Sequence, residues 1–255
     1  MDWIARASPR QLARIAGALY LAVIVAGLFA FGYVPATIFV SGDAAATAHN
    51  IVAHEQLYRW GLVAHMVVLP FNIPLAVIFY ELFKVVNRRL ALLDAFLILV
   101  GTAVEGANQL NQFAPLTLLG GGPYSSSLTG QQLQVLAYMP LDSASIGYDI
   151  QQVFYGLDIL AAAYLVYMST FMPRPVGVLL AIAGLSYLFY SFADFLSPAF
   201  AGHLVPYIQF PGGIGELSLS LWLLIAGVNG KRWQERAGTT GEVATVAGHV
   251  PMRPN

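Results

Sequence analysis

Six apolar runs, each long enough to cross a lipid bilayer, leave few folds open to this chain. A helix needs about 20 apolar residues to span the hydrocarbon. The runs cover residues 12–34, 58–84, 88–118, 146–170, 175–197 and 211–229. Inside lipid every backbone N–H and C=O must be satisfied within the protein, so such runs are read as helices. Only 10% of the 255 residues are charged and 58% are hydrophobic. A soluble domain carries about a quarter charged residues, so too little charge remains to coat a water-facing surface. Pro70 and Pro74 fall inside the second run and Pro115 near the end of the third. Membrane helices tolerate such prolines where neighbours satisfy the freed carbonyls.

The basic residues order these spans. Arg6, Arg10 and Arg14 lie before or at the start of the first, and Lys84, Arg88 and Arg89 at the turn where the second ends and the third begins. Arg174 separates the fourth from the fifth, and Lys231, Arg232, Arg236 and Arg253 follow the sixth. Eleven of the 12 Lys and Arg residues therefore fall on one side, and Arg59 alone on the other. Cytoplasmic loops are enriched in Lys and Arg, which predicts that both termini are cytoplasmic. The basic start could resemble a secretory signal. Its apolar run, from about Ile15 to Val34, is longer than a signal core and ends without a small-x-small cleavage pattern. An uncleaved first span is the better reading.

The expected fold is an all-α integral membrane protein, a bundle of about six transmembrane helices arranged as three hairpins, with short amphipathic outer segments. Asp43 is placed to cap a helix running through Ile51 towards Leu57. A second outer segment runs from Gln131 to Met139, and a third from Ser197 to Phe210. Tyr58, Trp60, Tyr138, Tyr148 and Tyr207 fit an outer aromatic belt, and Trp233 an inner one. Residues 1–11 read as a cytoplasmic N-terminal segment, 12–229 as the six-span membrane domain and 230–255 as a cytoplasmic disordered tail. One trace of repetition relates Ile15-Ala16-Gly17-Ala18-Leu19-Tyr20-Leu21 to Ile182-Ala183-Gly184-Leu185-Ser186-Tyr187-Leu188.

Several functions are disfavoured at once. There is no cysteine, which removes disulfides, thiolate metal sites and cysteine nucleophiles. A net charge of −1 argues against a nucleic-acid partner, which wants a basic patch. No nucleophile-elbow motif supports a serine triad, and no clustered ligand spacing supports a metal.

Polar residues inside the spans carry the functional signal. An ionisable group in the bilayer centre costs roughly 2.5–3.5 kcal/mol on the insertion scale and usually marks a site. Glu105, Asn108 and Gln112 share one face of the third span, with Asn111 beside them. Gln151, Tyr155 and Asp158 share one face of the fourth, with Asp149 and Gln152 nearer its outer mouth. His65 and the deeper Asn72 come from the second span, Tyr187, Ser191 and Asp194 from the fifth, and Glu216 and Ser220 from the sixth. Glu105, Asp158 and Asn72 are expected near mid-membrane, and Asp194 and Glu216 near the outer surface.

The bland alternatives carry weight. Asn72, Asn111, Ser191 and Ser220 are commonly interhelical hydrogen-bond glue. His65 is more often a hydrogen-bonded bundle residue than a metal ligand. Glu81 and Asp94 are expected to pair with Lys84, Arg88 or Arg89. Charge balance favours a site nonetheless. Glu105, Asp149, Asp158, Asp194 and Glu216 lie on the side where Arg59 is the one permanent cation. Burial disfavours an ionised carboxyl, so a deep acid either keeps its proton or is balanced by a bound cation.

Several phrases also resemble a known family. They are Leu12-Ala13-Arg14-Ile15-Ala16-Gly17, the stretch Gly42-Asp43-Ala44-Ala45-Ala46-Thr47 with Asn50-Ile51, Val86-Asn87-Arg88-Arg89-Leu90-Ala91, Met172-Pro173-Arg174 leading into Gly177, and Gly215-Glu216-Leu217-Ser218-Leu219-Ser220-Leu221-Trp222. Together they resemble a bacterial family of multi-span membrane proteins catalogued only as a domain of unknown function, over about residues 10–229. The resemblance implies an integral fold in a bacterial cytoplasmic membrane and carries no activity. In that family position 158 is often histidine. Here it is Asp158, which takes histidine chemistry out of the expectation.

Three functions fit these residues. The first is binding or transport of a small molecule, a cation among the candidates, in an outward-opening acidic pocket, with Glu105 and Asp158 as counter-charges. The second is an enzyme acting on a lipid or isoprenoid by carboxyl acid/base catalysis. The third is a structural accessory protein, with Gly17, Gly27, Gly101 and Gly184 permitting close helix contacts. The lipid bilayer is the one partner implied in every case, and no cofactor is indicated.

Overall fold

The structure, a computed structural model, describes residues 7–121 and 127–247, and side chains as far as residue 238. Arg6 and Arg253 therefore lie outside the described residues. Nine helices follow in chain order among those described: α1 (Pro9–Ile38), α2 (Ala44–Ala53), α3 (Glu55–Phe83), α4 (Arg88–Leu119), α5 (Gly130–Met168), α6 (Arg174–Leu196), α7 (Pro198–Leu204), α8 (Phe210–Ile225) and α9 (Gly230–Ala247). Six are long and apolar enough to span a bilayer: α1, α3, α4, α5, α6, and α8 with the short 3-10 turn Tyr207–Gln209 before it. No strand occurs among the described residues.

Each span packs against its chain neighbours, and α8 closes against α1. The result is a closed ring of six helices in sequence order. Small residues let the ring close. A Cβ on Gly17 would stand 2.8 Å from the α8 backbone at Leu224 Cα and Ser220 O. Gly156 and Gly184 face each other between α5 and α6, where a Cβ on Gly184 would stand 2.8 Å from Gly156 O. Apolar side chains cover the outside of the ring, including Phe96, Leu185, Phe189 and Leu110, the last 76% exposed. So large an apolar surface is unstable in water and is satisfied by lipid tails.

Four elements differ from the sequence expectation. The outer segment Gln131–Met139 is not separate. It continues through Pro140 into the fourth span as a single helix of 39 residues, about 58 Å at 1.5 Å per residue. A capping box starts it: Thr129 accepts from the Gln132 N–H at 3.3 Å, and Gln132 accepts from the Thr129 N–H at 2.9 Å. The first span is not a uniform α-helix, because Leu28–Tyr33 forms a π-helical turn. The sixth span begins four residues before the expected position 211, at Tyr207. Lastly, Gly230–Ala247 is helical where the tail was expected to be disordered. Asn229 starts this helix by accepting from the Arg232 N–H, and Trp233 anchors it by donating to Leu82 O at 2.9 Å. The outer helix α2 does form, capped by Asp43, which accepts from the Ala46 N–H at 2.8 Å.

Basic side chains tie the helix ends on their side. Arg14 donates to Ile225 O and Arg232 to Thr170 O, both at 3.2 Å. Glu81 pairs with Lys84 at 2.5 Å, as expected. Arg59, on the opposite side, is taken by Glu55 at 2.7 Å. The larger apolar core, with Leu82, Phe83, Leu165, Leu180 and Leu223, fills the half of the ring nearer the basic side. A smaller cluster around Ile38, Ile51 and Leu62 seals part of the opposite end. Hollows lie between them.

Candidate functional site

All six spans contribute to a central chamber of about 270 Å³. Glu105 and Thr102 come from α4, Asn72 from α3, Gln151, Gln152 and Tyr155 from α5, Tyr187 and Tyr190 from α6, and Glu216 from α8. Phe31, on the π-helical turn of α1, and Tyr148 close it towards the side opposite the basic one. A π turn is wider than an α turn and often sits at a functional site. Among the described residues no Lys, Arg or His lines the chamber.

Its two carboxyl groups are held differently. Glu216, 9% exposed, accepts from the Tyr155 hydroxyl at 2.7 Å and from the Tyr187 hydroxyl. Tyr155 also shares a hydrogen bond with Tyr20 at 3.3 Å, so three phenols surround this acid. Gly212 makes room for the arrangement, since a Cβ there would run into the Tyr187 ring, 2.6 Å from Cε1. Glu105 instead accepts from amides of its own helix, Gln109 at 2.9 Å and Asn108 at 3.2 Å. Hydrogen bonds to a charged group contribute about 1.5–3 kcal/mol each. Two such bonds are comparable with the roughly 3 kcal/mol cost of an acid in the bilayer. These bonds offset part of the cost of burying each carboxyl; no Lys or Arg among the described residues pairs with either, and His65 Nδ1 lies 4.0 Å from Glu105 Oε1.

Two further hollows adjoin the chamber. On the side opposite the basic one, a cavity of about 450 Å³ shares Phe31, Tyr148 and Gln209 with it. Nearer the basic side, a hollow of about 30 Å³ shares Asn72, Thr102, Gln151 and Tyr155. The sequence reading gathered its polar residues around one pocket, and the structure divides them. Glu105, Asn72, Tyr155, Tyr187 and Glu216 line the chamber. Asp158 lines the small hollow. His65 and Gln112 line the large cavity. Asn108 lines none of the three and ties Glu105 to Ala144 O at 2.9 Å across to α5. Asp194 lines none either and faces Asp149 at the α5–α6 seam. Glu105 and Asp158 are thus in adjoining hollows rather than on opposite flanks.

Other expectations are corrected by packing. Glu216 is not near the surface, because α8 starts early and carries it about 9 Å into the ring, six residues beyond Phe210. Asp94 does not pair with a basic residue. It is buried and faces Asp158, while Arg88 turns to the Tyr80 hydroxyl at 3.4 Å. Tyr58 and Tyr148 are not belt residues. Tyr58 is buried and donates to Gln112 O at 2.5 Å, and Tyr148 packs its ring 5.1 Å from Phe31. Trp60 and Tyr207 are exposed, as a belt requires. Asn72 does bridge helices, to Thr102 at 3.1 Å, and still faces the chamber. His65, on the wall of the large cavity, has its Nδ1 2.6 Å from the Gln109 amide nitrogen, and the Phe31 ring lies tilted 4.1 Å from its own. Among the described residues no group of three His, Asp or Glu stands ready for a metal ion.

A family model described as a domain of unknown function (DUF4386) matches residues 15–227. The chain belongs to this family. The matched stretch holds all six spans apart from the first turns of α1, and every residue of the chamber, so the site lies wholly in the family domain. No curated protein and no solved structure matches the chain.

Reading the sequence missed Phe31, Gln109, Tyr190 and the position of Asp94. Gln109 was within reach, since it stands four residues after Glu105 and such pairs meet on a helix. Phe31 depends on the π turn, which no residue pattern announces.

Proposed function

We propose that this family member binds a small organic cation in the central chamber and carries it across the membrane. The observation behind this reading is the chamber wall: two buried carboxyl groups, at Glu105 and Glu216, among five aromatic rings and no basic side chain. Aromatic faces attract cations, by about 2 kcal/mol or more once water is excluded, and quaternary ammonium groups are characteristic guests of such boxes. The carboxylates supply the counter-charge that the fold otherwise lacks. Phe31 and Tyr148, with Gln209, stand between the chamber and the large cavity, so their side-chain movement would control entry.

The bias of Lys and Arg supports a cytoplasmic placement of the basic side and of both termini. The large cavity would then face outwards, in a cell membrane. Labelling of a cysteine placed at Ser41 by an impermeant thiol reagent, in this cysteine-free chain, checks that orientation.

Uptake of radiolabelled benzyltrimethylammonium into proteoliposomes tests the reading. Protein-dependent uptake is expected, reduced at least about tenfold by Glu105→Gln, a loss of about 1.4 kcal/mol of interaction. Uptake equal to that of empty liposomes, or untouched by the substitution, would remove it.

A further inference from the structure

A second acidic site lies between α4 and α5, on the basic side of the chamber. Asp94, 1% exposed, faces Asp158, 4% exposed, carboxyl to carboxyl. Among the described residues neither oxygen of Asp94 has an N–H or O–H donor. A buried acceptor left in that state costs about 1–3 kcal/mol, more when charged. Asp158 also forms part of the wall of the small hollow, whose volume of about 30 Å³ has room for one water molecule.

The surrounding helices offer no cation. Tyr20 from α1, Tyr155 from α5 and Glu216 from α8 are the titratable groups that face the pair, and α3 contributes Asn72, Leu75 and Phe79. Two unit charges 4 Å apart repel by about 4 kcal/mol at an effective dielectric of 20. A doubly ionised pair is therefore disfavoured, and one proton between the carboxyls removes both the repulsion and the missing donor.

We propose that Asp94 and Asp158 together form a binding site for one exchangeable proton, and that this proton is the coupling ion of the transport reading above, on which the second half of the inference rests. Tyr155 connects the two sites. It lines both hollows and its hydroxyl donates to Glu216 Oε2. When Asp158 gives its proton to a water in the small hollow, that water returns one to the Tyr155 oxygen as the phenol passes its own to Glu216. The net change is a proton moved from the aspartate pair to Glu216, with each oxygen in between left as it began. A protonated Glu216 no longer attracts an organic cation, so proton and cation would occupy Glu216 in turn.

Infrared spectroscopy of the purified full chain in lipid nanodiscs tests the proton site without any organic ligand. At pH 7 the double variant Asp94→Asn with Asp158→Asn should lack the carbonyl-stretch intensity of one protonated carboxylic acid relative to the wild type. Loss of none, or of two, overturns the proposal. So does a wild-type intensity that vanishes when sodium replaces potassium, which would assign the pair to a metal ion. Should the double variant fail to fold, Asp94→Asn alone is decisive, because its amide N–H keeps a donor between the two side chains. It should fold, melt no lower than the wild type and lack the same single intensity; a retained intensity overturns the site. In proteoliposomes the same single variant should lose at least about tenfold of the uptake driven by an imposed pH gradient. If the spectra change as expected while no benzyltrimethylammonium enters even wild-type liposomes, the proton site stands and the transport reading falls. If uptake proceeds and keeps its pH response in Asp94→Asn, the coupling role falls.

Discussion

Glu216→Gln is expected to weaken binding of benzyltrimethylammonium at least about tenfold, or about 1.4 kcal/mol, while the fold is retained. Glutamine has nearly the same shape: its amide oxygen accepts from one of Tyr155 and Tyr187, which now donate to separate oxygens of Glu216, and its NH2 donates to the other, whose hydroxyl turns to accept. The substitution therefore removes the charge and reverses one of the two hydrogen bonds. Glu216 is the acid most completely enclosed by phenols, and charge is felt most strongly where water is absent. Equilibrium dialysis with the radiolabelled cation reads the effect. An unchanged dissociation constant would show that the cation is held elsewhere. Tyr187→Phe, which leaves the carboxyl group in place, should have the smaller effect of the two.

Gly17→Val is expected to cost about 3 kcal/mol of stability, enough to lower the yield of folded protein severalfold. At this position two helix backbones touch. Even a Cβ would meet Leu224 Cα and Ser220 O of α8 at 2.8 Å, and backbone atoms cannot rotate away as a side chain can. The contact closes the ring between the first and last spans, so separating it opens the wall of the chamber. Gly32→Ala is the control, since a Cβ there meets nothing within 4 Å. Thermal unfolding in detergent, followed by loss of monodisperse protein, measures both. Equal melting temperatures for Gly17→Val and wild type would contradict the closed ring.

Much of this architecture could be read from the sequence, for a physical reason. Lipid forces the six spans into helices, and the basic turns at Lys84 to Arg89 and at Arg174 set their alternation. The polar faces were legible too, because three- and four-residue spacing is imposed by the helix itself. Glu105, Tyr155, Tyr187 and Glu216 were all expected at a site, and all line the chamber. The repeated phrase in spans one and five placed a tyrosine three residues after a glycine. In the fold Gly17 and Gly184 are packing points, and Tyr20 and Tyr187 both converge on Glu216 through their hydroxyls, Tyr20 by way of Tyr155.

Depth and partner choice were not legible. Glu216 looked superficial because the start of α8 was placed at residue 211, beyond the Tyr207 turn that in fact begins it. Asp94 looked like a partner for arginine because it is close to Arg88 and Arg89 in sequence. The rotation of α4 turns it inwards to Asp158, a contact between residues 64 positions apart. The separation of the chamber from the large cavity depends on Phe31 and Tyr148 meeting at 5.1 Å, and the π turn that sets Phe31 has no sequence signature. The helix after Gly230 depends on Trp233 reaching Leu82 O, a tertiary contact that composition cannot show.

Comparing benzyltrimethylammonium with neopentylbenzene, its uncharged isostere, tests most directly whether the chamber recognises positive charge rather than apolar shape. Both should be titrated by calorimetry into the wild-type protein in lipid nanodiscs, against empty nanodiscs to remove partition into lipid. Saturable binding of the cation, at least about tenfold tighter than any binding of the isostere, is the predicted result. Equal affinities, or binding of the neutral compound alone, would mean that the acids at Glu105 and Glu216 serve the fold and not a ligand.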